Sequence, residues 1–219
     1  MEDWLYLRRR LWLNQMKKRY SSEPIRFYDI SDSYLVQCPN CHKMAVIRLP
    51  SFLEAKKAEA KCLCCQWRMR YEERITYVPA LRSFCASCKK SMDLPRIELP
   101  KPNQHTYVKC SNCQFPNKVT RWEKNLKRYP HEGKADPIFG LSLYFQTSIG
   151  NDLFWVINVR HLDEILSYIS AHLRERTTTR FNMTMVEKLP KFVIRAHNRE
   201  KIISILTAWK KEIMLTQIQ

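Results

Sequence analysis

Residues 38–65 read CPNCHKMAVIRLPSFLEAKKAEAKCLCC, and residues 85–113 read CASCKKSMDLPRIELPKPNQHTYVKCSNC. Each stretch opens and closes on a Cys-x-x-Cys pair: Cys38/Cys41 with Cys62/Cys65, and Cys85/Cys88 with Cys110/Cys113. Twenty residues lie between the pairs of the first stretch and 21 between those of the second, enough for a hairpin. Two thiolates on one tight turn grip a tetrahedral ion from one side, and a second turn brought alongside supplies the other two. Thiolate donors at about 2.3 Å suit Zn²⁺, and a closed four-thiolate shell leaves no open position for water. The pattern predicts two zinc ions with a structural role. A single iron in either site is the remaining metal alternative.

The two stretches also look duplicated. Each carries an apolar-charged-Leu-Pro segment, Ile47-Arg48-Leu49-Pro50 and Ile97-Glu98-Leu99-Pro100. A lysine precedes each second pair (Lys61, Lys109) and a glutamine follows it (Gln66, Gln114). A tandem repeat explains these coincidences better than chance. Other readings of the cysteines are weaker. Structural disulfides need an oxidising compartment, and Met1-Glu2-Asp3-Trp4 does not open a signal peptide. Cys-x-x-Cys redox chemistry belongs in a thioredoxin-like βαβ setting, which is absent. Cys38-Pro-Asn-Cys41-His42 matches a c-type haem string, but it sits inside the duplicated pattern. Cys64 is left over, either as a free thiol or as a replacement ligand for Cys62.

On these residues, segment 38–113 resembles tandem zinc ribbons of the kind found in transcription factors, RNA polymerase subunits and bacterial adaptor proteins. It departs from many of them after the cysteine knuckles, where His42, Gln66, Lys89 and Gln114 stand in place of glycine. An acidic pair at a hairpin tip, as in transcript-cleavage factors, is also missing. Further along, Phe139-Gly140-Leu141, Asn158, His161-Leu162, Leu173-Arg174-Glu175-Arg176, Leu189-Pro190 and Asn198-Arg199 are similar to a group of functionally uncharacterised bacterial zinc-ribbon proteins with a shared C-terminal α+β domain. That resemblance implies a bacterial, cytoplasmic protein and no particular activity.

Of the chain's 219 residues only three are glycine, so neither the GxxxxGK loop nor the GxGxxG turn is present and no nucleotide cofactor is expected. No apolar run reaches the ~20 residues of a membrane-spanning helix. The formal charge is +17. Residues 1–135 hold 27 Lys and Arg against 13 Asp and Glu, a net of +14, while residues 136–219 hold 11 against 8. Eight zinc-bound thiolates would lower the whole-chain value to nearer +13. A basic surface of that size favours a polyanion, with nucleic acid first. After Cys65, Trp67-Arg68-Met69-Arg70-Tyr71 alternates like a half-buried strand, which places Arg68, Arg70 and, further on, Arg74 on one face. After Cys113 come Lys118, Arg121, Trp122 and Lys124. Arginine fits phosphate with two donors, and Trp67, Trp122, Phe115 or Tyr107 could stack on bases. These charges also serve a simpler purpose, the solvation of small domains.

Residues 4–20 read as a helix carrying Arg8-Arg9-Arg10 and Lys17-Lys18-Arg19, with apolar and basic positions spread around it, so it suits packing between domains, or docking on a partner through Trp4, Leu7, Leu11 and Trp12, better than a membrane surface. From Asp136 onward cysteine disappears and isoleucine becomes common. Segments 138–147 and 153–158 read as strands joined at Gly150-Asn151. Leu162, Ile165, Leu166, Ile169 and Leu173 form one amphipathic helix. Ile202, Ile205, Leu206, Trp209 and Ile213 form another, with Asn198 as its N-cap. Leu189-Pro190 breaks the chain between them.

The fold class that follows is α+β: two tandem zinc β-ribbons, preceded by an N-terminal helix and followed by a small α+β domain of a β-hairpin plus amphipathic helices. The segments are 1–30 for the basic helix and linker, 31–80 and 81–125 for the ribbons, and 126–219 for the C-terminal domain. Catalysis finds no constellation. His161 and His172 stand about 16 Å apart along one helix and cannot share a metal. His197-Asn198-Arg199 lacks the partner histidine of an HNH nuclease, and the Glu54-Ala-Lys56 and Glu59-Ala-Lys61 strings lack a paired strand aspartate. The expectation is a non-enzymatic, zinc-dependent protein that binds DNA or RNA, with the C-terminal domain for regulation or partner docking. The alternatives are an adaptor subunit of a larger transcription, mobile-element or defence assembly, and a nuclease of unrecognised type.

Overall fold

The computed structural model describes Tyr20 and residues 25–80, 83–93, 97–127, 129, 131–171 and 183–217. The helix expected over residues 4–20 lies outside the described residues but for Tyr20, as does His172.

The chain forms two compact units, one of residues 1–68 with 130–219, the other Met69–Tyr129. In the first, β1 (Ser33–Gln37), β2 (Met44–Arg48) and β3 (Glu59–Cys62) pair antiparallel as a meander, with Leu35 opposite Val46 and Ile47 opposite Ala60. Tyr34, Val36, Ala45, Ile47 and Ala60 are buried, whereas Gln37, Arg48 and Glu59 face water. β4 (Arg68–Arg70) follows, with both arginines exposed and Met69 half-buried, as the alternation predicts.

The other edge of β1 is not free. The Leu35 N–H donates to Ile157 O at 2.6 Å, the Gln37 N–H to Ser142 O at 2.8 Å, and the Tyr144 N–H to Leu35 O at 3.0 Å. Asn158 Nδ2 donates to Ile30 O at 2.6 Å and to Ser33 O at 3.0 Å. Around this seam Tyr34, Val36, Phe139, Phe145, Val156, Leu162, Ile165 and Leu206 are buried together. The first ribbon and the C-terminal half therefore share one core, and the units part after residues 68 and 129, not after residues 80 and 125 as the cysteine repeat suggests.

The C-terminal half confirms the α+β class, with shifts in its strands. The hairpin is β11 (Gln146–Ile149) and β12 (Asp152–Trp155), closed at Gly150, whose φ of +64° suits a residue without Cβ. Residues 138–145, expected as strand, instead wrap the buried Asp136 carboxylate, which accepts from the N–H groups of Ile138, Phe139 and Leu141 at 2.6–2.8 Å. Three backbone donors aimed at one carboxylate curl the chain away from extended geometry. Helix α1 (Val159–Ser170) starts at Asn158, whose side chain accepts from the His161 N–H. Short α2 (Lys191–Ile194) follows Pro190, and α3 (Arg199–Gln217) lies against α1. Asn198 directly precedes α3, and its amide donates to Phe192 O.

In the second unit, β5 (Ile75–Pro79) pairs antiparallel with β10 (Trp122–Leu126), Tyr77 facing Lys124. Between them sits the second ribbon: β6 (Ser83–Phe84) with β7 (Ser91–Met92), and β8 (Tyr107–Lys109) with β9 (Pro116–Lys118). Strand β5, read from sequence as the end of the first ribbon, thus closes the second, because its partner lies 40-odd residues downstream.

Candidate metal centres and basic surface

Cys38, Cys41, Cys62 and Cys65 converge, as do Cys85, Cys88, Cys110 and Cys113; within each group every sulfur lies within 4.8 Å of the others. Sγ–Sγ separations are 3.7 Å for Cys38–Cys65, 3.5 Å for Cys41–Cys62, 3.5 Å for Cys85–Cys113 and 3.7 Å for Cys88–Cys110. A tetrahedron of sulfurs about 2.3 Å from a central ion has edges of about 3.8 Å. The observed separations fit that edge and are far beyond the ~2.05 Å of a disulfide. The donor set, the count and the spacing therefore match two structural Zn²⁺ ions. Among the described residues no other group of His, Cys, Asp or Glu comes together in this way.

Each centre is built from tight turns. Cys38 N–H donates to Lys43 O at 2.8 Å, Cys62 N–H to Trp67 O at 2.9 Å, Cys85 N–H to Lys90 O at 2.9 Å and Cys110 N–H to Phe115 O at 3.0 Å. In three of the four the next bond also closes: His42, Lys89 and Gln114 donate to the carbonyls of Cys38, Cys85 and Cys110 at 2.9–3.0 Å. These residues adopt φ of 58°, 59° and 61°. They are three of the four positions where common ribbons carry glycine, so the turn keeps its left-handed geometry at a conformational cost of roughly 1–2 kcal/mol per residue. The Cys62 turn differs in that Gln66 does not take the positive φ of the other three; its sulfur, like that of Cys38, still accepts from the backbone, here from the Cys64 and Cys65 N–H groups, both at 3.3 Å. Cys62 is the buried ligand and Cys64 is exposed, outside the centre.

Polar neighbours orient the sulfurs. Asn40 donates through its backbone to Cys38 Sγ at 3.4 Å and through Nδ2 to Cys65 Sγ at 3.7 Å. Asn117 Nδ2 reaches Cys85 Sγ at 3.5 Å and Phe115 O at 2.8 Å, while its Oδ1 accepts from the Ala86 N–H at 2.7 Å. Backbone donation, from Trp67 at Cys65 and from Cys88 at Cys85, is the largest influence drawing each of these thiols down to about 6. Burial pushes Cys38 up to about 12 and Cys62 in the same direction. Four neighbouring thiols do not ionise together unaided; a divalent cation among them makes the all-thiolate state the stable one.

The basic residues are placed less uniformly. Arg68, Arg70, Lys118, Arg121 and Lys124 are exposed, and Trp67 and Trp122 are half-buried. Arg74 is a correction: it is buried, and its Nε donates to Lys127 O at 3.0 Å, so it ties β5 to the chain after β10 and shares no face with Arg68 and Arg70. The short 3₁₀ turn over Tyr71–Arg74 ends the strand alternation on which that expectation rested. The most exposed aromatics of the second unit are Phe84, Tyr107 and Phe115. Tyr107 and Lys109 alternate on β8, and Lys118 pairs with Tyr107 across to β9, so all three occupy one outward face. Val108 and Asn117 occupy the inward face against the metal centre. Phe84 carried no signal in the sequence beyond its place next to Cys85.

No family model, curated protein or solved structure matches the chain. The class that geometry defines is a protein with two tandem zinc-ribbon-like four-cysteine centres on an α+β framework. Among the described residues no helix is long and apolar enough to cross a membrane.

Proposed function

We propose that this protein is a non-enzymatic, zinc-structured nucleic-acid-binding protein whose second unit contacts the phosphate backbone. The carrying observation is the outward β8–β9 face, where exposed Tyr107 stands among Lys109 and Lys118 on a unit with 13 Lys and Arg against 5 Asp and Glu. Cations track phosphates, and an exposed ring offers a stacking surface to any base. On the same unit Arg70, Arg121 and Lys124 add charge, and Trp122 keeps part of its ring accessible. Closed four-sulfur shells offer no coordination site for a substrate, which supports a structural role for the metal. The C-terminal half is assigned to regulation or partner docking.

The test is titration of DNA and RNA oligonucleotides, single- and double-stranded, with the zinc-loaded protein across a salt series. Affinity should fall steeply, with log K linear in log salt and a slope near −0.7 to −0.9 per neutralised phosphate. Absence of binding at about 50 mM salt, or binding indifferent to salt, overturns the proposal and favours a protein-docking adaptor.

A further inference from the structure

The first unit contains a cavity of about 250 Å³ that the metal centres do not use. It lies between β12, α1 and the chain leading into α2, and Phe27, Leu153, Trp155, Ile165 and Phe192 give it largely apolar walls. One buried polar group faces it. His161 is 3% exposed and belongs to the lining. Its Nδ1 accepts the Ile157 N–H at 3.2 Å, so the proton of the neutral ring sits on Nε2. Burial favours that neutral form by holding the imidazole down to about 4. Among the described residues Nε2 has no hydrogen-bond partner, although the ring itself is held edge-on by Phe27 and Trp155 at centroid distances of 5.7 and 5.6 Å. A donor fixed in place on an apolar wall, with no protein acceptor among the described residues, suits a ligand that brings one.

Charge narrows the ligand class. Among the described lining residues Lys188 is the one charged side chain, and it is exposed. A second cation, Lys134 Nζ, stands 5.3 Å from the centroid of the Trp155 ring. Among the described residues no Asp or Glu lines the cavity. At roughly 30 Å³ per water-sized group, the volume accepts a molecule on the order of ten heavy atoms.

The geometry points to a binding site for a small apolar monocarboxylate, aromatic or medium-chain, with its hydrocarbon part among Phe27, Trp155 and Phe192 and an acceptor oxygen toward His161 Nε2 and Lys188. The site is separate from the nucleic-acid reading and stands or falls without it.

Phenylacetate and octanoate are the probes, with 2-phenylethanol and 1-octanol as neutral counterparts, each titrated into the full zinc-loaded chain. The readout is the NMR resonances of the His161 imidazole and the Trp155 indole. The acids should shift both saturably, with half-saturation below about 1 mM, and each alcohol should bind at least about threefold more weakly. Lys188→Ala, at an exposed position, should weaken the acids about threefold and leave the alcohols unchanged. Leu153→Trp, which extends a ring into the cavity from a partly exposed strand position, should abolish the shifts while leaving the metal content at two. The assignment is overturned if no probe moves these resonances at 1 mM, if acid and alcohol bind alike, or if Leu153→Trp binds as well as the original chain.

Discussion

Two kinds of residue carry most of the local physics. The first is the left-handed trio His42, Lys89 and Gln114. Each holds a turn that glycine would hold without strain, so Lys89→Gly and Gln114→Gly should stabilise the second unit. The relieved strain of roughly 1–2 kcal/mol is offset by the 0.5–1 kcal/mol of chain entropy that glycine loses on folding, leaving a gain of up to about 1.5 kcal/mol each. Valine at either position should lower stability by 1 kcal/mol or more. Thermal melts of the zinc-loaded variants check both signs, and melts that do not separate glycine from valine contradict the strain argument. The second is His161. Its folded-state value of about 4 lies below the ordinary 6.5, so the unfolded chain takes up a proton that the folded chain refuses between those values. Stability from this group is complete above about pH 6.5 and is lost as pH falls toward 4, at up to about 1.4 kcal/mol per pH unit. His161→Gln keeps an acceptor for the Ile157 N–H and removes the titration, so its urea-unfolding stability should decline less steeply between pH 6.5 and 4.5. Proton competition for the zinc thiolates affects both proteins and cancels in the difference. Parallel curves would sink this reading.

At the scale of elements, the β8–β9 hairpin separates two roles by strand alternation. Its inward residues serve the metal: Asn117→Ala removes the donor to Cys85 Sγ and should lower zinc affinity at that centre about tenfold, read by competition with a chromogenic chelator. Its outward residues serve the proposed nucleic-acid contact. There Tyr107→Ala should cost about 1–3 kcal/mol of single-strand affinity, and Lys109→Ala or Lys118→Ala should each reduce the salt slope by about 1 while leaving zinc content at two. Arg74→Ala, at a buried position, should lower the melting temperature and leave the salt slope unchanged. If Arg74→Ala flattens the slope and Lys118→Ala does not, the contact surface lies elsewhere. The difference between Arg74 and its neighbours also shows what the sequence could carry. Alternation over Trp67–Arg70 was legible because strand period is local. The 3₁₀ turn that follows, and the carbonyl at Lys127 that captures the guanidinium, depend on a strand more than 40 residues away. The eight ligands were legible for the opposite reason: metal geometry is written into Cys-x-x-Cys spacing itself.

For the whole molecule, the point least visible in the sequence is which segments share a core. Composition shifts near Asp136, beyond which there is no cysteine and isoleucine is common. The fold instead joins β1 to residues 142–144 and 157 through backbone hydrogen bonds and buries Tyr34 and Val36 beside Phe139, Phe145 and Leu206. Backbone edges carry no side-chain signature, so that seam leaves no trace in composition. It has a consequence for metal removal. Among the described residues of the second unit the buried apolar ones are few, chiefly Ala80, Met92 and Val119 beside Cys85 and Cys110. So small a core does not offset the chain entropy of 61 residues, and metal binding becomes folding energy there. The first centre, by contrast, is attached to a large core, which should persist without it. Stripping zinc with a strong chelator should therefore release two ions per chain and abolish amide protection across residues 83–118. Helices α1 and α3 should stay protected and near-native in far-ultraviolet dichroism, with fraying confined to the turns at Cys38–His42 and Cys62–Trp67. Cys110→Ser/Cys113→Ser should reproduce the loss in the second unit with one zinc retained. Hydrogen exchange read by mass spectrometry resolves the two regions directly. A single transition in which α1 and α3 lose protection together with residues 83–118 would show that the shared core depends on metal after all.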